Sequence, residues 1–205
     1  MQSKAHAPSL KSGHRSGSGD EDAGPNARKR DLPVKPFDLG LALLRACLGF
    51  TMCAHGYAKL FRGGRIPGTA RWFDSIGMRP GAVHAWLAAV GEVGAGLLLA
   101  LGLLTPFAAA AFVSLMLVAA WTVHRGNGFF VTADGWEYNL VLAVSAVSVA
   151  VAGAGRLSID WWALGRDLWS GWPGLLISTG GGIAAAALLL VVSFGPTKAD
   201  SAAEM

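Results

Sequence analysis

The chain has 205 residues, of which 53% are hydrophobic and only 15% charged, with a formal net charge of +4. Mean hydropathy is +0.44. A soluble helical bundle needs a polar face on every helix, and several long stretches here lack one, so the composition excludes an ordinary soluble domain and points to a membrane protein.

Residues 1–36 are rich in Ser, Gly, Pro, Lys and Arg and cannot bury enough apolar surface to fold alone. They are expected to form a disordered basic tail. The run ARKR at Ala27 to Arg30, with Lys35, lies directly before the first apolar segment, where anionic lipid headgroups attract it. The positive charge is therefore assigned to membrane topology, and no nucleic-acid partner is expected. No apolar core follows a short basic start, so the tail is not a signal peptide.

Five apolar windows follow: Leu39 to Leu60, Val83 to Leu104, Pro106 to Val123, Glu137 to Ala152 and Gly174 to Phe194. A spanning helix needs roughly 20 mostly apolar residues. The fourth window is short. The expected organisation is a transmembrane core over 37–160, a Trp-rich interfacial segment over 161–173, a fifth transmembrane helix over 174–195 packed outside the core, and a short tail over 196–205. The fold class is all-α: a polytopic membrane four-helix bundle with an additional C-terminal transmembrane helix.

Lys and Arg beside the spans count six against six, and the more distant Lys4, Lys11 and Arg15 tilt the sum to nine against six in favour of a cytoplasmic N-terminus. Two connections are more than linkers. Arg62 to Gly81 holds Trp72 and Phe73 among turn formers and is expected to fold back onto the bundle. Arg156 to Gly174 holds Trp161, Trp162, Trp169 and Trp172, and tryptophan prefers the headgroup level. It reads as an interfacial helix capped by Ser158 or Asp160. Cys47 and Cys53 are six residues apart on one helix, about 120° apart in direction and about 9 Å in height, too far for a disulfide.

Polar residues inside spans need partners. On span one, Arg45, Gly49, Met52, Gly56 and Lys59 share a stripe about 80° wide, and its glycines admit a neighbouring helix. The stripe should face the bundle interior, with His55 beside it. Glu92 lies near the midpoint of span two. Matching depths places Arg45 and His55 on either side of it, so Glu92 is expected to pair with Arg45, His55 or both. The pair can be structural or catalytic.

A second polar group is expected where spans one, three and four end on one membrane face. Lys59, His124 and Glu137 meet there, with Tyr138 and Asn139 adjoining and Asp74 folding over from the first loop. Such a pocket can handle protons or hold an anionic headgroup, or it can be a network of snorkelling charges. No H-E-x-x-H or comparable spacing supports a metal site, and no phosphate loop or Ser-His-Asp pattern is present.

The order of these residues resembles the DoxX family of small bacterial integral membrane proteins, over Leu39 to Asp160. LLRACLGFTMCAHGYAKLF carries the Arg, Gly, Gly, Lys pattern at Arg45, Gly49, Gly56 and Lys59. WFDSIGMRP resembles the family turn at Phe73, Gly77 and Pro80. GEVGAGLLLALGLLTP resembles its glutamate and glycine signature at Glu92, Gly96, Gly102 and Thr105. GWEYNL matches at Gly135 and Glu137, and GAGRLSID at Gly153, Gly155, Ser158 and Asp160. The chain departs from the pattern in its basic tail, its fifth span and Pro106, where members often carry a basic residue.

The resemblance implies a four-helix membrane bundle in the plasma (inner) membrane of a bacterium. It also implies association with thiosulfate:quinone oxidoreductases and with complexes handling oxidative and thiol stress. An integral membrane subunit of an oxidoreductase system is the first functional expectation, with quinone as the candidate cofactor and Glu92, Lys59, His124 and Glu137 as catalytic candidates. No flavin, haem or iron–sulfur motif is visible, so the chain binds quinone itself or relies on a soluble redox partner for electrons. A non-enzymatic anchor that recruits soluble redox enzymes is the alternative, and a small-molecule or proton pathway the second.

Overall fold

A computed structural model describes residues 33–164 and 169–195. The expectations for the tail at 1–32 and for residues 165–168 and 196–205 lie outside the described residues.

Helix α1 runs over Pro36–Phe61 and begins with Pro at its first turn, where a missing N–H costs nothing. The Asp38 carboxylate reaches back to the Lys35 backbone N–H (2.9 Å) and closes the entry. A short helix α2, Arg65–Ser75, fills the first connection. Then come α3, Gly81–Leu101, and α4, Thr105–Asn127. Helix α5 covers Glu137–Ala152, α6 covers Ile159–Leu164, and α7 covers Trp172–Ser193. Helices α1, α3, α4 and α7 are each long and apolar enough to cross a membrane. At 16 residues α5 is about 24 Å long, shorter than the roughly 30 Å hydrocarbon layer. The protein is a multi-pass membrane protein, helical as expected.

α1 packs most extensively on α3, and α4 packs on α3, α5 and α7. Close approach of α1 and α3 is licensed by glycine. A Cβ on Gly49 would collide with the Gly96 carbonyl and Ala100, and one on Gly56 would lie 2.7 Å from the Ala89 carbonyl oxygen. Arg45, Gly49, Met52 and Gly56 are buried along this seam, as the stripe implied. The core, with Met52, Leu99, Phe112, Ala146 and Val149, fills the space between α1, α3, α4 and α5. Outward faces are apolar too: Phe50 is 76% exposed and Val191 84%, which suits lipid and not water.

The C-terminal helix is not merely an outer addition. Gly182 meets Val113 and Ala110 of α4, and Gly174 meets the Ala150 carbonyl of α5, so α7 leans directly on two core helices. Its far end is tied to the segment after α2. Arg79 N–H donates to the Ser193 carbonyl (2.9 Å) and Gly195 N–H to the Gly77 carbonyl (3.0 Å). Both α4 and α7 contain a widened π-type turn, at Ala120–His124 and Leu176–Gly181.

Candidate functional site

Glu92 is buried on α3, and its partner is Lys59 of α1. The Lys59 ammonium donates to both carboxylate oxygens at 2.8 Å. A two-pronged contact of this kind holds the carboxylate in one orientation. The expected pairing with Arg45 or His55 is therefore corrected. The reason is register. Gly49 opposes Gly96 and Ala100, while Gly56 opposes Ala89 and Val93, so Glu92 lies level with the turn around His55. Lys59 is one turn further on, about 6 Å, within reach of its long side chain. His55 itself is exposed.

Arg45 lies at the other end of the α1–α3 seam. It donates to the Leu157 carbonyl and packs under Gly102, which is ten residues, about 15 Å, from Glu92. Gly102 adopts φ +63 and ends α3, and any Cβ there would overlap the Arg45 guanidinium. Around this point the segment 153–160 staples three helices. Asp160 accepts the N–H groups of Leu104 (2.9 Å) and Thr105 (3.0 Å) and the Thr105 hydroxyl (2.9 Å). A carboxylate over two open N–H groups caps α4 and complements its dipole. The Asp160 N–H in turn donates to the Gly102 carbonyl (2.9 Å). Asp38 accepts the Arg156 N–H (3.0 Å), Gly155 sits against Asp38 and Leu41, and Gly153 ends α5 at φ +93. Ser158 Oγ accepts the Trp161 N–H (3.1 Å) and caps α6, one of the two caps anticipated.

The expected outer group separates. His124 Nδ1 lies 2.7 Å from the Asp134 carbonyl, and Glu137 accepts the Val131 N–H (2.9 Å). Both organise the loop 128–136 that follows α4. A Cβ on Gly135 would strike Phe129 and the Gly128 carbonyl, which explains its glycine. Asp74 accepts the Gly81 N–H (2.7 Å) and caps α3. Tyr138 is exposed, while buried Asn139 donates weakly to Met116 sulfur at 3.8 Å. Lys59 is the member of that group that joins Glu92.

Beside the Lys59–Glu92 pair lies a cavity of about 510 Å³. Its walls are α3, α4 and α7, and residues of and just after α2 close one end. Trp72, Phe73, Leu87, Leu115, Val118 and Leu189 are among its larger apolar lining residues. Small side chains make the room: Ala88 and Gly91 on α3, Ala110 and Ala111 on α4, and Gly181 and Ala185 on α7. Both π-type turns border it through Thr122, Val123 and Gly181. Such turns recur at functional sites. Sequence reading missed this cavity. Its signal was the unusual density of Ala and Gly on facing spans, but that pattern equally serves close packing. Among the described residues no cluster of three metal-ligating side chains occurs.

Residues 40–125 match the DoxX family model. A 63-residue stretch is 35% identical to an uncharacterized protein of Haemophilus influenzae, covering 31% of this chain and 42% of that protein. The chain thus matches less than half the length of that relative. No solved structure matches. The DoxX match contains Arg45, the α1–α3 glycines, Lys59 and Glu92, while α5, the 153–160 staple and α7 lie beyond it. Over residues 40–125 the chain is thus similar to the DoxX family, and its long apolar helices make it a multi-pass membrane protein.

Proposed function

We propose that the chain is a membrane subunit of an oxidoreductase system in the bacterial plasma membrane, and that the cavity takes a quinone from the bilayer. One observation carries the reading: the bidentate Lys59–Glu92 pair sits on the wall of a mostly apolar 510 Å³ cavity. That volume falls within the roughly 300–1,000 Å³ of small-molecule sites, and such sites combine apolar walls with a few placed polar groups. A quinone matches that plan with an apolar tail and ring oxygens that exchange protons on reduction and oxidation. Lys59 supplies donors to a ring oxygen. Glu92 supplies a carboxylate that takes or returns a proton at that oxygen, and the apolar walls keep water from it. Electrons come from a soluble redox partner docked on the membrane face.

Purification in mild detergent followed by quinone extraction and mass spectrometry tests this. Bound quinone together with a stoichiometric redox enzyme is expected. Absence of both sinks the reading. An enzyme partner without quinone, with turnover unaffected by Glu92→Gln, would instead make the chain an anchor subunit.

A further inference from the structure

We infer that Ser114 is the second ligand-binding donor of this cavity, so that the site selects ligands with two separated acceptor oxygens. The inference rests on the quinone reading and adds its specificity. Ser114 lines the same cavity as Lys59 and Glu92 but belongs to a different wall, α4. Its depth follows from the turn that joins α3 to α4. Glu92 precedes Gly102 by ten residues and Ser114 follows Thr105 by nine, so both lie about 14–15 Å from the turn. The two helices pack together, which brings the groups to one level.

Availability separates Ser114 from the other polar side chains there. Thr122 Oγ1 donates to the Val118 carbonyl (2.8 Å), the ordinary engagement of a hydroxyl in a helix. Away from the cavity, Ser148 and Ser178 likewise donate to carbonyls four residues earlier. His84 Nε2 lies 3.4 Å from the Arg79 carbonyl. Half-buried Ser114 makes no hydrogen bond among the described residues, and the residue lines the cavity. A hydroxyl at mid-depth of a membrane bundle gains from a partner, and a ligand oxygen is the partner this cavity can bring. Lys59 then holds one oxygen of the ligand and Ser114 another. A ring with two carbonyls satisfies both donors, and a mono-oxygenated ring of the same length leaves one open.

The test uses the full chain in detergent, titrated with decylubiquinone and with 4-decylphenol, binding being read from tryptophan quenching and checked by equilibrium dialysis. Ser114→Ala should weaken decylubiquinone about 3- to 10-fold, the worth of one hydrogen bond, and leave 4-decylphenol within about 2-fold. Ser114→Thr, which keeps the hydroxyl, should restore quinone affinity. Equal quinone affinity in wild type and Ser114→Ala overturns the role of Ser114 and leaves the quinone reading standing. Equal weakening of both probes also overturns it, because a packing defect does not distinguish oxygens. No saturable quinone binding by the wild type removes the underlying reading, and this inference with it.

Discussion

Removing either member of the Lys59–Glu92 pair should destabilise the fold unequally. The Lys59 side chain is 23% exposed and that of Glu92 10%. Lys59→Leu strands a buried carboxylate, and breaking a buried pair from one side costs about 3–5 kcal/mol. Glu92→Leu strands a lysine that can swing its ammonium towards the helix end, so about 2–3 kcal/mol is expected. Lys59→Leu with Glu92→Leu removes both charges and should return to within about 1 kcal/mol of wild type, because apolar replacement of a buried pair is often neutral. The coupling between the two sites is then at least about 4 kcal/mol. Combining Arg45→Leu with Glu92→Leu should give only the sum of the single effects, since Arg45 sits at the Gly102 end of the seam. Equilibrium unfolding in mixed micelles, titrated with SDS and followed by circular dichroism, measures all five variants. A Lys59–Glu92 coupling below about 0.5 kcal/mol, the scatter expected of independent sites, would refute the pairing.

Gly56→Ala places a Cβ 2.7 Å from the Ala89 carbonyl oxygen and should cost about 1–3 kcal/mol through overpacking, read as a lowered midpoint in the same unfolding assay. Asp160→Ala uncaps α4 and should cost about 0.5–2 kcal/mol, while Asp160→Asn, which keeps one acceptor oxygen, should lose less. Ala185→Leu fills the cavity from α7, so it should abolish quinone binding while leaving the unfolding midpoint within about 1 kcal/mol of wild type. Glu137→Ala should speed hydrogen exchange at the Val131 amide, which loses its acceptor, without changing exchange along α1 or α3.

The spans themselves were legible because lipid demands long apolar helices, and the inward face of α1 followed from 100° per residue. The partner of Glu92 was not. Matching window midpoints assumes that neighbouring helices are level. Here the first turns of α1 extend past α3 to meet the 153–160 segment, where Asp38 holds the Arg156 N–H. That contact and the glycine contacts fix a register no single helix encodes. His124 and Glu137 misled for a different reason. Charges at helix ends are as readily used to satisfy nearby loop amides as to build a shared pocket, and residue type does not distinguish the two. Asp160 was legible as a cap but attributed to its own helix, whereas it caps α4 from a distance of more than fifty residues in sequence.

The placement of α7 has a consequence for how the protein is made. Translation delivers α1, α3 and α4 well before α7, so the Lys59–Glu92 pair can close while the third wall is still inside the ribosome or the insertion machinery. Until then the cavity is an open groove between α3 and α4, and surrounding lipid is free to fill it. Arrival of α7 must displace that lipid as it supplies the third wall, and its far end is then held by the hydrogen bonds of Ser193 and Gly195 with Arg79 and Gly77. The site is thus finished last, and a chain halted after α5 would hold the ion pair without an enclosure around it.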